Sequence, residues 1–157
     1  IWLELSDKSK FTIENQHYTL AGTFIMTGEY LRYLLAFLNS KLIEWYFDYI
    51  CNSSGTGTNQ WKKVFVEQIP IPKIEEEEQE PFIKLVDEIL ESKQKIKDYK
   101  ILLDEAMKND NFDREIKLKK ELETLENICI SNEKTIDEMV YKLYDLTEDE
   151  IKIVEGV

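Results

Sequence analysis

Two stretches in which apolar positions recur at alternating steps of four and three constrain this chain more than anything else in it. The first reads Phe82, Val86, Ile89, Lys93, Ile96, Lys100, Leu103 and Met107; the second reads Leu118, Leu122, Leu125, Cys129, Asn132, Ile136, Met139 and Leu143. Such spacing lays one mostly apolar seam along each of two helices. The intervening Lys108, Asn109, Asp110 and Asn111 have turn chemistry, so the pattern predicts an antiparallel two-helix coiled-coil hairpin. At ~1.5 Å per residue its arms would run roughly 40–50 Å. Pro81 suits the first turn of the first arm, and the acidic run before it reads as a solvated helix start favoured by the dipole. Lys93 and Lys100 interrupt the seam and are expected to pair with acids of the facing helix or to mark a contact with another domain. A capping box, Thr147 to Glu150, predicts a short final helix.

Composition changes abruptly near Pro72, which divides the chain into an aromatic-rich module, 1–74, and a charged helical part, 75–157. Within the module, the opening IWLELSD and the alternation over 17–27 read as strands. Leu31, Leu34, Leu35, Leu38, Leu42, Trp45, Tyr46 and Tyr49 place a helix over about 29–50. The segment 52–60, NSSGTGTNQ, reads as a loop, and WKKVFVEQIPIP as a short strand closed by Pro70 and Pro72. The predicted class is therefore α+β: a small mixed α/β module, a long helical hairpin and a short C-terminal helix. Because the chain opens on Ile1 inside a predicted strand, the module is expected to continue upstream.

Charge follows the same division. Residues 1–74 hold 7 basic and 7 acidic side chains, whereas 75–157 hold 13 and 25, so the second part carries the whole net charge of −12. A nucleic-acid surface would have to lie in the first part, and phosphate contacts there would contribute weakly. Cys51 and Cys129 show no ligand spacing and suit a reducing cytosol as small hydrophobes. No apolar run approaches the roughly 20 residues of a membrane span. The expectation is a soluble, cytoplasmic protein.

No catalytic constellation is present in the sequence. Gly55 and Gly57 lack the lysine of a phosphate-binding loop and the third glycine of a dinucleotide fingerprint. His17 has no partner motif. Pro70, Pro72 and Pro81 cannot supply the Asn/Asp-Pro-Pro-aromatic motif of DNA amino-methyltransferases. The Glu-x-Lys triplets ending at Lys117 and Lys152 lie in predicted helices without the Pro-Asp of a nuclease.

Several stretches carry a likeness: YLLAFLNSKLIEWYFDYI, then WKKVFVEQIPIPKI, EEQEPFIKLVDEIL and IDEMVYKLYDLTEDEI. Together, from about Tyr18 to Ile151, they resemble the C-terminal specificity domain of TaqI-like adenine-specific DNA methyltransferases, a domain also fused into type IIG restriction enzymes. IPIPKIEEEEQEPF is similar to the recognition-domain exit of type I specificity subunits. The resemblance implies a DNA target-recognition module that is not an enzyme by itself. Its partners would be double-stranded DNA and an upstream methyltransferase domain of the same chain. That domain would bind S-adenosylmethionine and methylate a flipped adenine, and the long helices would hold the recognition domain against the catalytic part or space two recognition halves. A dimer through the hairpin is a further expectation, read from its seam.

On that reading the DNA-binding candidates are Ser53, Ser54, Gly55, Thr56, Thr58, Asn59, Gln60, Lys62 and Lys63. The amides of Asn59 and Gln60 can pair with adenine. Lys62 and Lys63 can neutralise phosphates, the hydroxyls can bond to them, and the glycines admit close backbone approach. The plain alternative is a solvent-exposed linker. Trp61 reads as a wedge or, more naturally, as core. Lys8, Lys10, Asn15 and Gln16 form a second polar candidate loop. Tyr30, Trp45, Tyr46 and Phe47 suggest a stacking platform, although their helical spacing favours core packing. A rival function is a scaffold or dimerisation element that never touches DNA.

Overall fold

A computed structural model describes residues 1–14, 19, 21–51 and 57–157. Element order is β1 (Trp2–Leu3), β2 (Leu5–Ser6), β3 (Thr23–Phe24), α1 (Leu31–Leu38), α2 (Lys41–Ile50), β4 (Asn59–Gln60), α3 (Lys63–Val66), α4 (Glu76–Lys108), α5 (Phe112–Leu143) and α6 (Glu148–Glu155). The class is α+β and mostly helical, with two small ladders followed by two long helices and a short one. The chain packs as two compact units, Ile1–Ile83 with Ile136–Val157, and Lys84–Thr135. The packing boundary therefore differs from the compositional boundary near Pro72, because the start of α4, the end of α5 and α6 pack with the α/β part.

In the first unit the opening strand is two short strands serving different partners. β1 pairs antiparallel with β3, Trp2 opposite Phe24, and β2 pairs antiparallel with β4, Leu5 opposite Gln60 and Ser6 opposite Asn59. Glu4 is the switch: its N–H donates to Gly22 at 2.8 Å and its carbonyl accepts from Trp61 N at 2.7 Å. The strand expected over 17–27 is confined to Thr23–Phe24 among the described residues; His17, Tyr18 and Leu20 lie outside them.

The single helix expected over 29–50 is two helices. Asn39 gives its amide to the Phe11 and Leu35 carbonyls (3.0 and 3.2 Å) and accepts from Phe11 N (2.9 Å). Ser40 then caps α2, its Oγ accepting from Ile43 N. These side-chain bonds compete with helix continuation and win it locally. The short strand expected from WKKVFVEQIPIP is also corrected. Only Asn59–Gln60 is strand, and Lys63–Val66 forms one helical turn. Burial there follows Trp61, Val66 and Ile69 while Val64 is exposed, a helical spacing in which packing overrides the β-propensity of valine. The IPIP exit is fixed by two phenols: Tyr33 donates to the Pro72 carbonyl at 2.8 Å, and Tyr144 to that of Pro70.

α4 begins at Glu76, one turn before the expected start at Pro81. Glu78 accepts from Glu75 N at 3.3 Å, and the glutamates of the first turn oppose the helix dipole favourably. At the other end of the unit, Lys41 N donates to Asp137 at 2.8 Å, and Lys41 Nζ lies 3.4 Å from Glu155. The Thr147–Glu150 capping box is present, and Gly156 closes α6 in the left-handed region.

The second unit is an antiparallel helix pair. Asp110 turns the chain at φ 51°, and Asn111 accepts from Arg114 N at 3.2 Å to start α5. The α5 seam follows the expected positions, with Leu118, Leu122 and Cys129 buried. The α4 seam differs after Ile89: Ser92 and Ala106 are buried, whereas Lys93, Lys100 and Met107 are exposed. Small residues occupy the line of helix contact, and the lysines reach across its flank to Glu133 (2.8 Å) and Glu126 (3.7 Å). No helix among the described residues is long and apolar enough to cross a membrane.

Candidate nucleic-acid interface

The polar segment that follows the loop is mounted on an aromatic plug. Trp61 is 1% exposed. Its ring lies on Phe47 with centroids 3.7 Å apart and planes 2° apart, while Phe11 meets it edge-on at 5.5 Å. Its Nε1 donates to the Ser6 carbonyl at 3.3 Å, and its own carbonyl accepts from Trp2 Nε1 at 2.7 Å. Trp61 and Phe47 are therefore core, as the helical spacing favoured for Phe47, and the wedge and platform readings do not apply to them. Trp45 packs on Tyr49 at 4.8 Å on the half-exposed side of α2, and Tyr30 donates to Glu76 at 3.0 Å.

This plug holds β4 and its flanks in place. Thr58, Asn59 and Gln60 are half-buried on the ladder, Lys62 is half-buried at the start of α3, and Lys63 is exposed with an ion pair to Glu67 at 3.3 Å. Asn59 donates through Nδ2 to Asp48 Oδ1 of α2. The candidates Ser53, Ser54, Gly55 and Thr56 lie outside the described residues, as do Asn15 and Gln16.

The ladder joins two segments that the sequence left separate. Ser6 sits opposite Asn59, so the chain running on from Ser6 through Lys8 and Lys10 leaves the ladder at the end where Thr58 enters it. Lys62 and Lys63 leave from the other end. Lys10 pairs with Asp7 at 2.6 Å and holds that carboxyl below the usual carboxylate range, and Ser9 bonds to Glu44 through N and Oγ (3.3 and 3.1 Å). The surface thus offers amides, hydroxyls and a few lysines, several of them already paired with acids. It suits hydrogen-bond readout better than electrostatic capture. Asp48, Glu4 and Ser6 carry no local sequence pattern that marks them, because their partners lie far along the chain.

A cleft of about 320 Å³ in the same unit is walled largely by aliphatic and aromatic side chains, among them Phe11, Ile13, Ile25 and Leu34. Thr12, Glu14 and Thr27 also line it. Cys51 and Cys129 are free thiols, both raised above the ordinary cysteine range chiefly by burial. Deprotonation, and with it nucleophilic reactivity, is disfavoured in both.

The described residues thus place a polar edge on a rigid aromatic support. Residues 3–71 match the family model of the TaqI-like C-terminal specificity domain. The matched stretch takes in Leu3 of β1, the strands β2, β3 and β4, α1, α2, α3 and Pro70, while α4, α5 and α6 lie outside it. No curated protein and no solved structure matches the chain. The match supports a DNA-specificity role in a restriction-modification enzyme for this segment.

Proposed function

We propose that this chain reads the DNA target of a bacterial restriction-modification enzyme and positions an upstream, S-adenosylmethionine-dependent adenine methyltransferase domain on it. The observation that carries the reading is the specificity-domain match over residues 3–71. The exposed and half-exposed edge of Thr58, Asn59, Gln60, Lys62 and Lys63 supports where contact is made, with the amides facing bases and the lysines facing phosphates. S-adenosylmethionine belongs to the upstream domain in this reading, and no residue of the chain is assigned to it.

Phosphate contacts are tested by salt. In the intact enzyme, Lys62→Ala with Lys63→Ala should weaken duplex binding for all sequences alike. It should also reduce the slope of log affinity against log salt by roughly 1–2. A slope equal to that of the unmodified protein would remove these lysines from the interface. A second reading, a dimer through the hairpin, is favoured by one observation. Met107, Phe112 and Ile116, which flank the hairpin turn, are 51%, 68% and 68% exposed, unusual for side chains of this type in such proximity along the chain.

A further inference from the structure

We propose that Asp48 is a positioning residue for DNA readout: it fixes the Asn59 carboxamide so that one edge, an acceptor beside a donor, faces an adenine. The inference rests on the reading of residues 58–63 as DNA-facing and adds to it a positioning residue.

The argument begins with the chemistry of a carboxamide. Its oxygen accepts and its nitrogen donates two N–H bonds, and a half-turn about the last side-chain torsion exchanges the two ends. A freely turning amide offers adenine the wrong order about as readily as the right one. Asn59 Nδ2 donates to Asp48 Oδ1, and only the nitrogen end can do so, since the oxygen would face a carboxylate. Bonds to a charged acceptor are stronger than neutral ones, so this contact selects one orientation. It uses one N–H and keeps the carbonyl oxygen and the second N–H for another partner. That pair is complementary to the N6 amino group and N7 of adenine in the major groove. The backbone beneath is held as well: Asn59 pairs with Ser6 in the ladder, and the next residue but one is the buried Trp61. Asp48 is exposed near the end of α2, eleven residues earlier in the chain, and its helix carries Phe47 of the aromatic plug. One helix therefore sets both the height of the recognition strand and the orientation of its amide. Such preorganisation favours the matched base without adding a contact to it.

The test is a methylation map of the intact enzyme carrying single substitutions, read by single-molecule sequencing together with each variant's melting temperature. Asn59→Ala is expected to relax one A·T position of the recognised motif, raising methylation at sites with another base there about tenfold. Asp48→Ala is expected to relax the same position while the melting temperature stays within about 2 °C. Asp48→Leu, which also lacks an acceptor and favours the helix, should do the same. Asp48→Asn keeps an oxygen able to accept from Asn59 and should retain the motif. If Asn59→Ala relaxes the position and neither Asp48→Ala nor Asp48→Leu does, the positioning role is overturned while recognition by Asn59 stands. Loss of the motif in Asp48→Asn equal to that in Asp48→Ala would also overturn it. A motif unchanged by Asn59→Ala would remove the underlying reading along with the proposal.

Discussion

At the scale of single residues, side chains far away in sequence anchor main chain that lies in no helix or strand. Tyr33 of α1 and Tyr144, just past the end of α5, illustrate this, each bonding to a carbonyl of the IPIP exit. Burial pushes each of the two phenols up to about 12. A phenol whose folded value lies above its unfolded value near 10 stabilises the fold fully below pH 10. That contribution is lost as pH rises from about 10 through 12. Stability measured by urea unfolding should therefore fall steeply over that window. Tyr33→Phe with Tyr144→Phe should flatten the fall and lower stability at pH 7 by about 1 kcal/mol per lost hydrogen bond. An equally steep alkaline fall in the double variant would show that these phenols do not carry it. Such anchors were illegible in the sequence. Neither Tyr33 nor Tyr144 falls on an apolar position of the helical patterns, and nothing local tells that a phenol 39 or 74 residues away holds a proline carbonyl. The same holds for Asp48 and Asn59: the sequence offers the amide as a candidate, and nothing local shows that it bonds to a carboxylate eleven residues earlier.

At the scale of elements, periodicity served well where one face packs against one partner and failed where packing is shared. The α5 seam, the turn at 108–111, the capping box and the existence of two long helices were all legible, because each depends on neighbours within a turn or two. The α4 seam slipped by one residue after Ile89, since strict alternation chose Lys93, Lys100 and Met107 over Ser92, Tyr99 and Ala106. Buried serine and alanine are easily passed over in a hunt for large apolar side chains. The slip has a measurable consequence. Ala106 is 2% exposed and Met107 51%, so Ala106→Leu should overpack the helix pair and cost about 1–3 kcal/mol. Met107→Ala should stay within about 0.5 kcal/mol. Reversed effects in denaturant titrations would restore the strict heptad. The strands were the least legible elements. Each ladder is two residues long, and Glu4 divides its backbone bonds between two partners more than 15 residues away, an arrangement that alternation over one segment cannot reveal. The break at Asn39–Ser40 was hidden by the continuous leucine spacing around it.

At the scale of the whole molecule, the charge distribution bears on the proposed role. Residues 1–74 are neutral and the remainder carries −12, so this chain supplies little phosphate attraction, and on the proposed reading the duplex would be held mainly by other parts of the protein. Specificity can still come from this chain, because base contacts need aligned hydrogen-bonding groups more than net charge. The hairpin is the place where association is testable independently. If Met107, Phe112 and Ile116 form a self-contact, sedimentation will show a dimer that Phe112→Lys with Ile116→Lys converts to monomer. A monomer before substitution would leave these side chains to another domain. The central claim, that the segment around β4 reads the target, is tested most directly by mapping methylated adenines in a methylation-deficient host that expresses the intact gene. The account predicts one short motif, methylated at nearly all its occurrences, that is lost or altered when residues 52–63 are replaced. A motif that survives this replacement unchanged would contradict it.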